Sequence, residues 1–547
     1  MSQSLTPEKV TLRYAVVSML FLGLAGFEGM LMRSQLLHPT SGIMDNEHYY
    51  AMLTAHPMVG IYGFAYMAVM GAFLYLVPML LKKKIFSLKL ANINMWVHIA
   101  GVLIVWFAGF YFHFAGLYTL YWPLPVERFT PISVATYAIG LFIIEISVLM
   151  IIFNIAATIF KKTEGSLTSG MALKKLMLAA FGLDVIVRYF SSFLSKVSMR
   201  FSSTHVAPPV GTGYASSGGN PSEEKLPVFI VSVMRGSIDA VINAIVLAGT
   251  GLLMLGFSIY ALMGVFINPL IIDPLIYKNV FWWGLDMIAD GDVLIWVAGS
   301  LYLLAPLLTG QKLYGEETVR YVIALDLIVS MGVWSHHLMS DTPQPLIMRL
   351  VSGQFITWGE FITMGLTFFV VLMTLWRARP IKMTMPVKFM LGGILGFMLG
   401  GVAGLMQANI ALNVILHNTQ WVPGFHVHQI ILTGLGSILF AVIYALLPML
   451  TGTELKSKFL SDLHFYCWII GGIGMAFSMG LAWTPGMLRR TLYPGVDIYF
   501  PYMAAATLFA HILAVGFAAF LLNLIETYGV RTLVGLFIPL KAESESQ

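Results

Sequence analysis

The sequence predicts an all-α, polytopic membrane protein of twelve transmembrane helices, on three observations. Apolar runs of about 20 residues or more recur along the chain, long enough at about 1.5 Å per residue to cross a hydrocarbon core of about 30 Å. Of the 547 residues, 58% are hydrophobic and only 10% charged, with a mean hydropathy of +0.83, which excludes a soluble globular protein. The remaining polar residues gather between the runs, so each run must satisfy its own backbone, as a helix does. The chain reads as one membrane domain over 1–547 with a polar insertion at 161–226. Its working surroundings are a lipid bilayer, and no nucleic-acid partner is expected.

The predicted spans fall at about 14–37, 56–81, 92–120, 131–160, 228–267, 281–310, 319–340, 354–376, 387–416, 424–450, 462–483 and 499–527. Met1 to Thr11 is short and polar, and the first apolar run is too long for a cleaved signal peptide. Within the insertion, Ala172 to Arg200 mixes apolar residues with Lys174, Lys175, Asp184, Arg188, Lys196 and Arg200, the pattern of an interfacial amphipathic helix. Val206 to Lys225, with its Pro, Gly and Ser, reads as a loop. With a cytoplasmic N-terminus, the 31 Lys and Arg all fall on the cytoplasmic side except Arg33, Arg128, Lys278, Arg349, Arg489 and Arg490. That asymmetry puts both termini inside the cytoplasmic membrane of a bacterium or archaeon.

Cys467 is the single cysteine, so an internal disulfide, a CxxCH-attached haem and a two-copper thiolate centre are all excluded. The histidines carry more. The stretch from His417 to Gln429 places His426 and His428 at the head of the apolar run Ile430 to Leu450. Two apart on a helix, they point about 200° from one another, so they suit different groups on opposite sides. His56 and the adjacent pair His336 and His337 also sit near the ends of apolar runs. Histidine within a membrane is costly and normally has a partner or a function. The predicted topology brings all five, with Asp286 and Asp290, to one depth in the outer half of the bilayer.

This pattern resembles the haem–copper oxidoreductase superfamily, subunit I, across all twelve spans. The resemblance implies that His56 and His428 hold a low-spin haem, His426 a high-spin haem, and His336 and His337 a second metal. Both haems are then non-covalent and expected to be b-type. The segment HNT-x-WVPG before the span-ten pair is similar to the B-type oxygen reductases, although an extra residue, Phe425, follows Gly424. Arg489 and Arg490 resemble the family's arginine pair, whose guanidinium forks bind haem propionates.

Span six departs from the oxygen reductases. Where they carry a metal-binding histidine and commonly a tyrosine four residues on, this chain has Asp286-Met287-Ile288-Ala289-Asp290-Gly291. The register resembles nitric oxide reductases, with Asp286 in the histidine position and Asp290 in the glutamate position. At i and i+4 the two carboxylates share a helical face. Glu360 in span eight lies near where those enzymes place another active-site glutamate. Hard oxygen ligands favour non-haem iron over copper. Reduction of two NO to N2O needs two electrons and two protons, and no tyrosyl radical. The expected function is therefore a nitric oxide reductase catalytic subunit, with an oxygen reductase keeping copper as the alternative. Electrons would come from a second subunit (a cupredoxin or a cytochrome c) or from quinol. A non-catalytic haem-binding or gas-sensing protein would leave His336 and His337 without a purpose. Glu28, Asp239, Asp326, His98, His113 and His417 are open between proton-path and structural roles, and Asp292 between proton transfer and a structural hydrogen bond.

Overall fold

The computed structural model describes residues 5–40, 43–166, 168, 171, 173–184, 187, 191 and 226–538. In chain order the long helices are α1 (Pro7–Leu37), α2 (Asn46–Leu81), α3 (Leu88–Phe112), α4 (Pro131–Phe160) and α5 (Val228–Leu262). Then come α6 (Pro274–Asp286, Met287–Asp292 and Val293–Thr309 end to end), α7 (Glu316–Ser330), α8 (Leu346–Arg377) and α9 (Met385–Gln407). The last three are α10 (Val422–Thr451), α11 (Lys458–Leu481) and α12 (Asp497–Tyr528). Among the described residues no strand forms, and the one isolated bridge joins Thr419 to Leu488.

Among the described residues, ten of these helices are long and apolar enough to cross a membrane. The apolar second half of α6, Leu294–Thr309, is a shorter helix by the same measure. α7 has 15 residues and stops at Ser330, well before the predicted end at 340. Ser352 of α8 makes that early stop affordable, since its Oγ donates to Gly332 O at 2.6 Å and accepts from Ser335 N at 2.7 Å. Two backbone groups released from the helix are thus satisfied away from water. The chain then closes a tight 3-10 turn at His336–Leu338.

The helix starts follow from local chemistry. Thr6, Asp45, Ser87, Thr130, Asp273 and Ser457 each accept, at a helix N-cap, from a backbone N–H two or three residues on. At the other end, α2, α6 and α10 carry Pro78, Pro306 and Pro448 four residues before C-caps in the left-handed region, Lys82, Gly310 and Gly452. These same helices, four apart in the chain, carry His56, Asp286, Asp290, His426 and His428. α2 and α10 run through the middle of the bundle, with 83% and 78% of their most apolar stretches buried, against 28% for α12. Peripheral helices turn Leu20, Phe27, Phe153, Ile245 and Leu508 outward, as contact with lipid requires.

Four segments are wound as π-helix: Val59–Tyr66, Met287–Asp292, Arg349–Phe355 and Val422–Leu435. Two of them hold predicted site residues, Asp290 in Met287–Asp292 and His426 with His428 in Val422–Leu435, and such windings are frequent at functional sites. In the insertion, Leu173–Ala180 is helical. Fully buried Arg235 of α5 ties this region down, donating to Ala179 O, to Asp184 Oδ1 and to Arg320 O at 3.3, 3.3 and 3.1 Å. Most of the rest of the predicted 172–200 helix, and the 206–225 loop, lie outside the described residues.

Helix α9 meets α10 backbone to backbone. A Cβ built on Gly396 would lie 2.6 Å from Gly434 N and 2.7 Å from Thr433 C, atoms that cannot rotate away. Gly396→Val is therefore expected to destabilise the bundle by about 1–3 kcal/mol or more. Thermal unfolding in detergent checks this, and an unchanged midpoint would contradict so tight a helix crossing.

Candidate functional site

The two span-ten histidines turn to different neighbours. His426 Nδ1 donates to Gly400 O of α9 at 2.9 Å, and a Cβ on Gly404 would come within 2.7 Å of His426 Cε1. Only glycine at 404 leaves room for that ring. His428 Nδ1 is hydrogen-bonded to Pro423 O, five residues earlier on its own π-wound segment. On α2, His56 Nδ1 donates to Ala25 O of α1 at 2.9 Å, and Gly29 lets the ring lie against α1. His56 and His428 are near enough to interact electrostatically.

A carbonyl can only accept, so each of these imidazoles carries its proton on Nδ1 and its lone pair on Nε2. That orientation is what an axial haem ligand requires, with the backbone fixing tautomer and ring plane. The three histidines therefore fit the haem assignments.

The second cluster joins α6, the turn after α7, and α8. The His336 and His337 rings are 4.6 Å apart. His337 Nδ1 lies 2.5 Å from Asp286 Oδ1, and Trp282 stacks on the His337 ring at 4.5 Å. His336 Nδ1 is 2.7 Å from Thr357 Oγ1 and 3.7 Å from Glu360 Oε2. Asp286 and Glu360 are both buried.

The donor types suit a hard metal ion, but their placement is less complete. Among the described residues, no three His, Cys, Asp or Glu side chains converge as a metal-binding set. Asp286 is engaged with the His337 imidazole. Asp286 ends the α-wound part of the helix and Asp290 lies four residues on, within the π-wound segment Met287–Asp292. The Asp290 side chain lies outside the described residues.

The arginine pair caps the entrance to α10. Arg489 N donates to Asn418 O at 3.0 Å, and its Nη2 reaches Asn418 Oδ1 at 3.5 Å. Arg490 sits in the left-handed region, φ +60°, and donates from Nη2 to Tyr118 Oη at 2.9 Å. Burial, and then Arg490 beside it, pull Arg489 down to about 10. Burial raises the Tyr118 phenol, but the two guanidinium groups outweigh it and hold the phenol below its usual range. Buried His417 lies within electrostatic reach of Arg489, Arg490, His336 and His337, so it stands between the two clusters.

Several of these groups were not legible beforehand. Thr357, Tyr118 and the carbonyls of Ala25, Gly400 and Pro423 carry no motif. The Gly400/Gly404 spacing on α9 is a usable signal of close approach. Trp282, which carries no motif either, stacks on His337. Asp292 accepts from Tyr66 Oη at 2.5 Å.

Two anchored imidazole positions beside a carboxylate–imidazole cluster, all within a helical membrane bundle, define a protein of the haem-binding membrane oxidoreductase kind. The chain matches the family described as cytochrome c and quinol oxidase polypeptide I over residues 9–214 and 199–517, and it belongs to that family. Cytochrome c oxidase polypeptide 1 of Halobacterium salinarum is 25% identical over 540 residues, covering 96% of this chain and 76% of that protein. Quinol oxidase subunit 1 of Bacillus subtilis is 22% identical over 546 residues, covering 96% and 72%. A solved heme-copper terminal oxidase dimer shares the fold with a TM-score of 0.74 at 20% identity, covering 99% of this chain and 85% of that one. The family implies haems and a further metal centre.

Gly404→Ala should displace His426 and lower bound haem from about two per chain towards one, as a pyridine haemochrome assay would measure. Full haem content with an unchanged spectrum would show that the glycine does not position that ring.

Proposed function

We propose that this chain is the catalytic subunit of a respiratory membrane reductase, passing electrons from a cytochrome c or quinol donor to a small gaseous oxidant. The observation that carries the reading is the anchoring of His56, His426 and His428, each by Nδ1 on a backbone carbonyl. When bound, a low-spin haem at His56 and His428 supplies electron storage, and a high-spin haem at His426 supplies an open iron for the oxidant. The chain's own contribution is orientation. Ala25, Gly400 and Pro423 hold the rings, and the buried surroundings keep bulk water away.

The relatives' names, cytochrome c oxidase and quinol oxidase, favour O2 as the oxidant. Those names support oxygen reduction better than the nitric oxide reductase expected from the register of span six. One observation still favours a second reading, reduction of two NO to N2O. Carboxylates stand against both histidines of the pair, Asp286 on His337 and Glu360 near His336. Such oxygen donors would harden a metal site towards iron.

Metal analysis and gas turnover on the purified full-length protein separate the two. Oxygen uptake without N2O, with copper stoichiometric to the chain, is the outcome expected for the first reading. Iron in excess of haem, with N2O formed from NO, selects the second. Consumption of neither gas by haem-loaded, reduced protein would overturn the proposal.

A further inference from the structure

Beneath the site, on the side of the α7 N-terminus, a buried acid remains that the reading above does not use. Asp239 of α5 is fully buried. Its Oδ1 accepts from Ser330 Oγ of α7 at 3.1 Å, while Oδ2 has no hydrogen-bond partner among the described residues. That second oxygen is directed at the π-wound segment of α6, and a Cβ built on Gly291 would lie 2.8 Å from it. Gly291 is five residues beyond Asp286 on the same helix. The absent side chain at 291 is what lets the carboxyl approach α6.

Burying a carboxyl oxygen without a partner costs about 1–3 kcal/mol or more, so its retention calls for a reason beyond packing. The surroundings argue against a permanently charged group. Asp326 of α7 and Asp292 of α6 both face Asp239 electrostatically. Arg235, one turn earlier on α5, is committed to Asp184 and to the carbonyls of Ala179 and Arg320. With no cation devoted to it, the carboxyl is suited to holding a proton at Oδ2. Asp326 lies one helical turn before Ser330 on the same face of α7, so a proton has stations on the way in.

We infer that Asp239 is a proton-holding residue serving the site: it takes a proton relayed by Ser330 from the Asp326 side and releases it across Gly291 towards the Asp286 region. The inference rests on the proposed function only in that reduction of either gas consumes protons. In each cycle the Ser330 hydroxyl passes its proton to Asp239 Oδ1 while taking one from Asp326, which is reprotonated from the side of the α7 N-terminus, and a turn of the carboxyl group brings the proton to face α6. The carboxylic acid then gives its proton up towards the reduced oxidant, restoring the carboxylate. No oxidant or reductant beyond those of the main reaction is needed.

The test compares the holoenzyme with Asp239→Asn, Asp239→Glu and Ser330→Ala. Asn keeps the acceptor for Ser330 and nearly the same volume, so haem content and spectra should be unchanged. Redox-difference infrared spectroscopy should show a protonated carboxyl band that Asn abolishes and Glu restores at a shifted position. Proton uptake on reduction, followed with a pH dye, should slow by about 100-fold in Asp239→Asn. It should slow by a smaller factor in Ser330→Ala. An Asn variant that retains both the band and the uptake rate would overturn the inference. If the wild type reduced neither O2 nor NO, the proposed function would fail while the infrared assignment still stood or fell by itself.

Discussion

In a hydrocarbon interior an imidazole needs one ring nitrogen satisfied before the other can be offered to a metal, because an unmade buried hydrogen bond costs about 1–3 kcal/mol. Water is scarce there, and the regular helices already use their carbonyls. The bundle supplies acceptors in two ways. Close helix approach brings the Ala25 and Gly400 carbonyls to His56 and His426, with Gly29 and Gly404 leaving space for the rings. Local π winding provides the Pro423 carbonyl for His428. Much of the remaining architecture is arranged around these three contacts, including the burial of α2 and α10 and the glycine-mediated contact of α9 with α10.

Hydropathy made the bundle legible because a membrane span has to be apolar and helical over a fixed length. It located every long helix, but it ran the seventh on to 340, whereas that helix ends at Ser330. The histidines were legible because imidazole is rare in such surroundings. The winding was not, since a π-helix differs from an α-helix by one hydrogen-bond register and leaves no distinct composition. Asp286 stands against His337 across the boundary between α6 and the turn after α7.

Family membership and local chemistry bear on different questions. Overall similarity to the oxidases reflects the scaffold, which must bury the haem-ligating helices whichever oxidant is used. Choice of oxidant depends on a few groups around His336 and His337, where this chain places carboxylates and Trp282. Below them, Asp239 of α5 lies within electrostatic reach of Asp326 of α7 and of Asp292 of α6, and Arg235 acts on Asp326.

The most direct measurement is the haem content and spin state of His56→Leu and His426→Leu proteins, by pyridine haemochrome and electron paramagnetic resonance. If each imidazole is held for its own haem, loss of His56 removes the low-spin signal and spares the high-spin one, and loss of His426 does the reverse. Identical losses in both variants, or a wild-type chain that binds no haem, would contradict the account.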